Sequence, residues 1–191
     1  MTIARICATL VILLAAGCSR PGTAWHATDV TGALPALDFS MTRANDGKAV
    51  GGGDYRGKIV LLYFGYTHCP DICPTTLSNL SDALGKLGAR AGDVRVLFVT
   101  VDPNRDDLAT MKNYVNAFAP QIDGLRGTPD QLTALTRRYR VAFSVTPGPP
   151  YEVMHSNGVF FFDRSGRARL VSMDTHDTDA VAADLKRLLD M

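Results

Sequence analysis

Hydrophobic and polar positions along this chain fall into blocks of two periods. Residues 39–50, FSMTRANDGKAV, alternate around Asn45-Asp46-Gly47, as a β-hairpin does. Residues 58–66, KIVLLYFGY, form an unbroken apolar run with β-branched and aromatic members, the mark of a strand buried on both faces. From Pro74 the period changes, and Leu77, Leu80, Leu84 and Leu87 recur at helical spacing. VRVLFVTV (94–101) predicts a second buried strand, closed by Asp102-Pro103. Residues 106–119 and 128–140 predict two helices, the latter with a capping-type start at Thr128. VFFFDRSGRARLV (159–171) predicts a hairpin through Asp163-Arg164-Ser165-Gly166, and DAVAADLKRLL (179–189) a terminal helix. Strands alternating with helices in this order imply an α/β domain. Its central sheet is expected to be mainly parallel, with helices on both faces and an N-terminal β-hairpin.

Composition adds bounds. The chain has 191 residues, 46% hydrophobic and 20% charged, which suits one domain with a substantial core. A net charge of +1 without a basic or acidic run gives no reason to expect a nucleic-acid partner. The N-terminus has a different pattern. Arg5 precedes an apolar run from Ile6 to Gly17, too short to span roughly 30 Å of hydrocarbon but suited to the core of a signal peptide. The run ends in LLAAGC, which resembles a bacterial lipoprotein signal, with cleavage before Cys18 and a lipid on its thiol. Ala15 stands where such signals usually carry Leu, with Leu14 one step out. The expected organisation is a signal peptide at 1–17, a flexible stalk at 18–37, and a folded domain at 38–191. The lipid would tether that domain to a membrane on its extracytoplasmic, periplasmic side.

Cysteine usage then becomes specific. Cys7 leaves with the signal and Cys18 carries the lipid, so the mature domain keeps Cys69 and Cys73, within GYTHCPDICPTTL. This pair sits where the first buried strand gives way to a helix, and that placement makes the expected fold thioredoxin-like. Three chemistries compete: a structural disulfide, a redox-active pair, or a soft-metal clip. Export favours disulfide persistence, but a bridge closing so small a loop adds little stability. The structural reading is therefore the weakest. If Pro70 opens the helix, the free amides and positive dipole end of its first turn lie beside both sulfurs and favour thiolate. Residues i and i+4 of a helix lie about 6.2 Å apart at Cα, inside the disulfide window of roughly 4.4–6.8 Å. The same spacing lets two thiolates converge on one ion. Thioredoxin-type oxidoreductases carry C-x2-C rather than this C-x3-C.

Two thiolates alone make an incomplete site for copper, since sulfur suits Cu(I) whereas imidazole suits both oxidation states. His26 lies in the stalk and His176 in a polar loop, both read as solvated. His68 adjoins Cys69 but points away around a tight turn. His155 follows the Pro-rich segment SVTPGPPYEVM and enters the next apolar strand. In a thioredoxin-like fold the loop before that strand lies against the cysteine-bearing helix start, which makes His155 the candidate third ligand. Met154 is soft enough for copper, but strand alternation turns it to the opposite face. Asp71 reads as dipole complementarity in a first helical turn, Asp102 as a turn or cap residue, and Arg137, Arg138 and Arg140 as a solvated face.

GYTHCPDICPTTL, VTVDPNRDD and the distal HSNGVFFFDRSG together resemble the Sco (SenC/PrrC) family of copper-binding, thioredoxin-fold proteins, in order from about Asp38 to the C-terminus. The resemblance implies that Cys69, Cys73 and His155 bind copper, as Cu(I) or Cu(II), for the dinuclear copper centre of cytochrome c oxidase. The implied partners are the copper-bearing oxidase subunit and a copper donor or acceptor protein. Two positions depart from the family pattern. Met154 stands where an acidic residue often precedes the distal histidine, and a lipid signal replaces the usual transmembrane anchor. Two functions remain open: a copper metallochaperone, or a tethered thiol–disulfide oxidoreductase cycling Cys69 and Cys73 through a disulfide. A peroxiredoxin is disfavoured because Thr67-His68-Cys69 lacks the T-x-x-C spacing.

Overall fold

The computed structural model describes residues 24–191. The expected signal peptide, Cys7, Cys18 and the start of the stalk lie outside the described residues. In chain order the strands and helices are β1 (Thr28–Asp29), β2 (Ser40–Arg43), β3 (Ala49–Gly51), β4 (Ile59–Gly65), α1 (Ile72–Gly85), β5 (Val94–Thr100), α2 (Leu108–Asn116), β6 (Ile122–Arg126), α3 (Pro129–Arg138), β7 (Phe143–Thr146), β8 (Glu152–His155), β9 (Val159–Phe162), β10 (Ala168–Ser172) and α4 (Thr178–Leu189).

Eight strands form one sheet in the order β1-β10-β9-β4-β5-β6-β2-β3, while β7 and β8 pair only with each other. Neighbours β4, β5 and β6 run parallel at the centre, and the flanking strands are antiparallel. Every residue of β4 is buried because helices cover both faces. Ile59, Leu61 and Tyr63 pack with Leu77, Leu80 and Leu84 of α1 and with Leu185 and Leu188 of α4. Val60, Leu62 and Phe64 point to the other face, against Leu132 and Leu135 of α3 and Met41 and Val50 of the first hairpin. The stripe read from the sequence is thus the buried face of α1. Thr128 and Gln131 cap α3 reciprocally, with Gln131 N–H donating to Thr128 Oγ1 at 3.2 Å and Thr128 N–H to Gln131 Oε1 at 2.8 Å. The fold is the thioredoxin-like α/β architecture expected.

Several elements differ from the sequence expectation. An additional strand, β6, lies between the two middle helices, and α2 ends at Asn116 rather than running to Ala119. β6 offers only Ile122 and Leu125 as apolar residues. Its Asp123 is accommodated by Tyr55, whose hydroxyl donates to Oδ2 at 2.9 Å. The Pro-rich segment before His155 is the turn of the β7–β8 ribbon, so His155 closes that ribbon rather than entering the strand that begins at Val159. Residues 26–37, read as stalk, run along the domain. His26 and Ala27 donate their amides to Asp184 at 3.1 and 2.8 Å, β1 pairs with β10, and Leu37 is buried. No helix among the described residues is long and apolar enough to cross a membrane.

Candidate metal centre

The site forms where β4 ends and α1 begins. Gly65, the last residue of β4, leaves room that a side chain would fill: a Cβ there would sit 2.8 Å from Cys73 Sγ and 2.6 Å from Phe98 Cε2. The chain then turns through Tyr66–Cys69, and Asp106 holds that turn from below. This fully buried carboxylate accepts from Thr67 N–H at 2.9 Å, Thr67 Oγ1 at 2.6 Å and Thr100 Oγ1 at 2.7 Å. Three donors replace the water that the charge loses on burial.

Cys69, Cys73 and His155 converge, with their Sγ, Sγ and ring nitrogen atoms all within 4.8 Å of one another. Cys73 is fully buried in the first turn of α1, Cys69 is half-buried, and both are free thiols. His155 Nε2 lies 3.3 Å from Cys73 Sγ. Its Nδ1 lies 3.0 Å from the Ser156 carbonyl oxygen, which can only accept, so Nδ1 carries the proton and Nε2 presents its lone pair to the sulfurs. Tyr66 and Tyr63 meet the imidazole edge-on at centroid separations of 5.8 and 6.2 Å and fix its plane.

The helix start corrects one expectation. α1 begins at Ile72 with Asp71 as the preceding cap position, so Pro70 lies outside the helix. The first-turn amide reaches only one sulfur: Cys73 N–H donates to Cys69 Sγ at 3.3 Å. At the other, burial outweighs hydrogen bonding from the Tyr66 backbone and pushes the Cys73 thiol up to about 12. In the metal-free protein Cys73 therefore holds its proton and shares it with His155 Nε2. Burial also lowers the imidazole pKa, keeping His155 neutral. A soft cation entering here displaces the protons of the two thiols and finds two sulfurs and an unprotonated nitrogen, a donor set that fits copper.

The other histidines lie apart from this cluster. His68 contacts Thr67 Oγ1 and Asp106 through Nδ1, at 3.1 and 3.4 Å, and is half-exposed. His26 and His176 lie at the N-terminal edge and before α4. Met154 is 70% exposed and lines, with Tyr66, Cys69, Ile72 and His155, an open cleft of about 430 Å³. Sequence reasoning missed Gly65, Tyr66 and Asp106, which looked like strand or helix-start content. Gly65 and Tyr66 were signalled only by adjoining the cysteine motif, and Asp106 by nothing local to it.

Fold and cluster together define a class: thioredoxin-like domains with a Cys-Cys-His group at the first strand-to-helix junction. The SCO1/SenC family model matches residues 31–190, and the chain belongs to that family. It is 42% identical over 134 residues to the mitochondrial SCO2 homolog of Bos taurus, covering 68% of this chain and 50% of that protein. The chain spans about half the length of the curated relatives it matches. Among solved structures it is similar to Bradyrhizobium japonicum ScoI with copper bound, at 39% identity and TM-score 0.74 over 81% of this chain and 99% of that one. It is also similar to the apo Sco1 protein of Thermus thermophilus, at 35% identity and TM-score 0.78 over 87% and 98%.

Proposed function

We propose that this protein is a copper metallochaperone that holds copper through Cys69, Cys73 and His155 and assists assembly of the dinuclear copper centre of cytochrome c oxidase. The observation that carries the reading is the convergence of two sulfurs and one imidazole nitrogen within 4.8 Å. Dithiol exchange needs no imidazole at that place, so His155 favours copper over the oxidoreductase. Family membership supports the oxidase as destination. Copper is the cargo. It enters as Cys69 and Cys73 give up their thiol protons, is held in a cleft open enough for a partner to reach, and leaves by stepwise ligand exchange to the copper-bearing subunit. Thiol–disulfide exchange with an oxidised partner protein, whose disulfide takes up the two electrons and two protons, converts the pair to a Cys69–Cys73 disulfide and closes the site to metal. The reading extends to the N-terminus: residues 1–17 are a lipoprotein signal, and a lipid on Cys18 anchors the domain on the periplasmic side of a bacterial membrane. Copper titration of the reduced protein tests the core of this reading. One equivalent is expected, and loss of stable binding in the Cys69→Ser and Cys73→Ser variants. Full-affinity uptake by the double serine variant refutes it.

A further inference from the structure

The ribbon that carries His155 is not hydrogen-bonded into the main sheet. β7 and β8 pair only with each other, with Phe143 opposite His155 and Thr146 opposite Glu152. At its base the ribbon is tied by Ser156 N–H donating to the Ala142 carbonyl at 2.9 Å and by the Ser156 hydroxyl accepting from Ala142 N–H at 3.1 Å. A two-stranded ribbon is marginal on its own; Phe143 and Val153 pack its inner face on the core, and a polar fixture holds its other end.

That fixture is built around Asp102. This carboxylate, just past the end of β5, is fully buried. The Tyr151 hydroxyl, one residue before β8, donates to Oδ1 at 2.7 Å, and Arg105 Nε donates to Oδ2. The Arg105 guanidinium also stacks on the Tyr151 ring at 3.9 Å and approaches the Tyr66 ring at 5.8 Å. Tyr66 in turn meets the His155 imidazole edge-on. One buried charge thus binds the far end of the ribbon, while the arginine that neutralises it backs the aromatic ring against which His155 rests. A turn residue ahead of Pro103 has no need of a tyrosine from 49 positions away.

We propose that Tyr151 and Arg105 are positioning residues, acting through Asp102 to clamp the β7–β8 ribbon so that His155 stays seated on the cysteine pair. A hydrogen bond to a buried charge is among the stronger kinds, and unmaking it leaves Asp102 under-satisfied. The ribbon then pivots on its Ala142–Ser156 base. Its consequence for copper rests on the function proposed above, whereas the clamp itself is a property of the metal-free protein.

The test uses Tyr151→Phe, which keeps the ring and its stacking but removes the hydroxyl, and Arg105→Lys, which keeps the charge but loses the planar stack. In the metal-free proteins, amide hydrogen exchange across β8 is expected to quicken several-fold and the His155 ring resonances to shift. Cu(II) affinity is expected to fall about tenfold in Tyr151→Phe, the scale of one hydrogen bond to a charged group. In a His155→Ala background the same change is expected to add nothing, since a clamp that acts through His155 has nothing left to position. Unchanged β8 exchange and His155 signals in both variants overturn the proposal. So does an equal affinity loss with and without His155, which marks general loosening. If the wild-type protein itself takes up no copper, the copper reading fails and the exchange measurements still decide the clamp.

Discussion

Replacing Gly65 by Ala adds one methyl group at the most crowded point of the site. The new Cβ falls 2.8 Å from Cys73 Sγ and 2.6 Å from Phe98 Cε2, whereas ordinary contact begins near 3.4 Å. The sulfur must retreat by about 0.6 Å and the ring by about 0.8 Å, and both belong to fully buried residues in a close-packed core. Overpacking of this kind destabilises by about 1–3 kcal/mol. The conformational gain from removing a strand glycine, about 0.5–1 kcal/mol, offsets only part of that. Net destabilisation of about 1–2 kcal/mol follows, equivalent to a Tm lower by about 2–8 °C for a domain of this size. The effect on the site is larger than the effect on the fold, because a metal constellation tolerates displacements of only about 0.5 Å. Urea unfolding of the metal-free variant and a competition titration with copper separate the two. Copper affinity is expected to drop by at least tenfold. A Gly65→Ala protein with wild-type Tm and wild-type copper affinity refutes the claim that Gly65 makes room for Cys73.

Cys18→Ala is expected to abolish lipid attachment and leave the precursor uncleaved at that site, read by intact mass and membrane fractionation. An unmodified mature N-terminus elsewhere in the wild-type protein contradicts the lipoprotein signal. Burial pushes the Asp163 pKa up, but hydrogen bonds from the Ser165 side chain, the Arg167 and Ser165 amides and Arg169 more than offset this and leave it lowered. A depressed carboxylate stabilises above its unfolded-state pKa, and the contribution is lost as pH falls through the folded value. Acid unfolding of Asp163→Asn should therefore show a smaller loss of stability below about pH 4 than wild type. Identical acid profiles contradict the role assigned to that turn.

Long apolar runs and sharp turns made much of the fold legible. β4 is buried on both faces and carries no polar interruption, and β5 is apolar from Val96 to Val99 after the half-buried Arg95. The Asp163–Gly166 turn is announced by its own side-chain chemistry, with Asp163 Oδ1 accepting from Ser165 and Arg167 amides at 2.9 and 3.0 Å. β6 escaped because Asp123 and Gly124 break its apolar pattern for tertiary reasons: one meets Tyr55, and the other lies close to Ala44 and Met111. The ribbon escaped because its strands are half-exposed and its turn is rich in proline. At the site, the cysteine spacing was explicit, and His155 became visible only through the fold and the family resemblance. Asp106 acts on the cysteine loop from a position whose proximity is created by folding. No local pattern marks a carboxylate that will lie beneath a loop nearly forty residues earlier.

The central claim is that His155 completes a copper site, and copper titration of the reduced His155→Ala protein beside wild type tests it most directly. Cys69, Cys73 and most of the core remain in that variant. Cu(II) binding is expected to weaken by at least tenfold and its thiolate-to-copper absorption to change, while Cu(I), already suited by two sulfurs, loses less. Disulfide formation between Cys69 and Cys73 is expected to persist, because it needs only the sulfurs. Unaltered Cu(II) affinity and an unaltered spectrum in His155→Ala contradict the account and return the pair to thiol–disulfide chemistry.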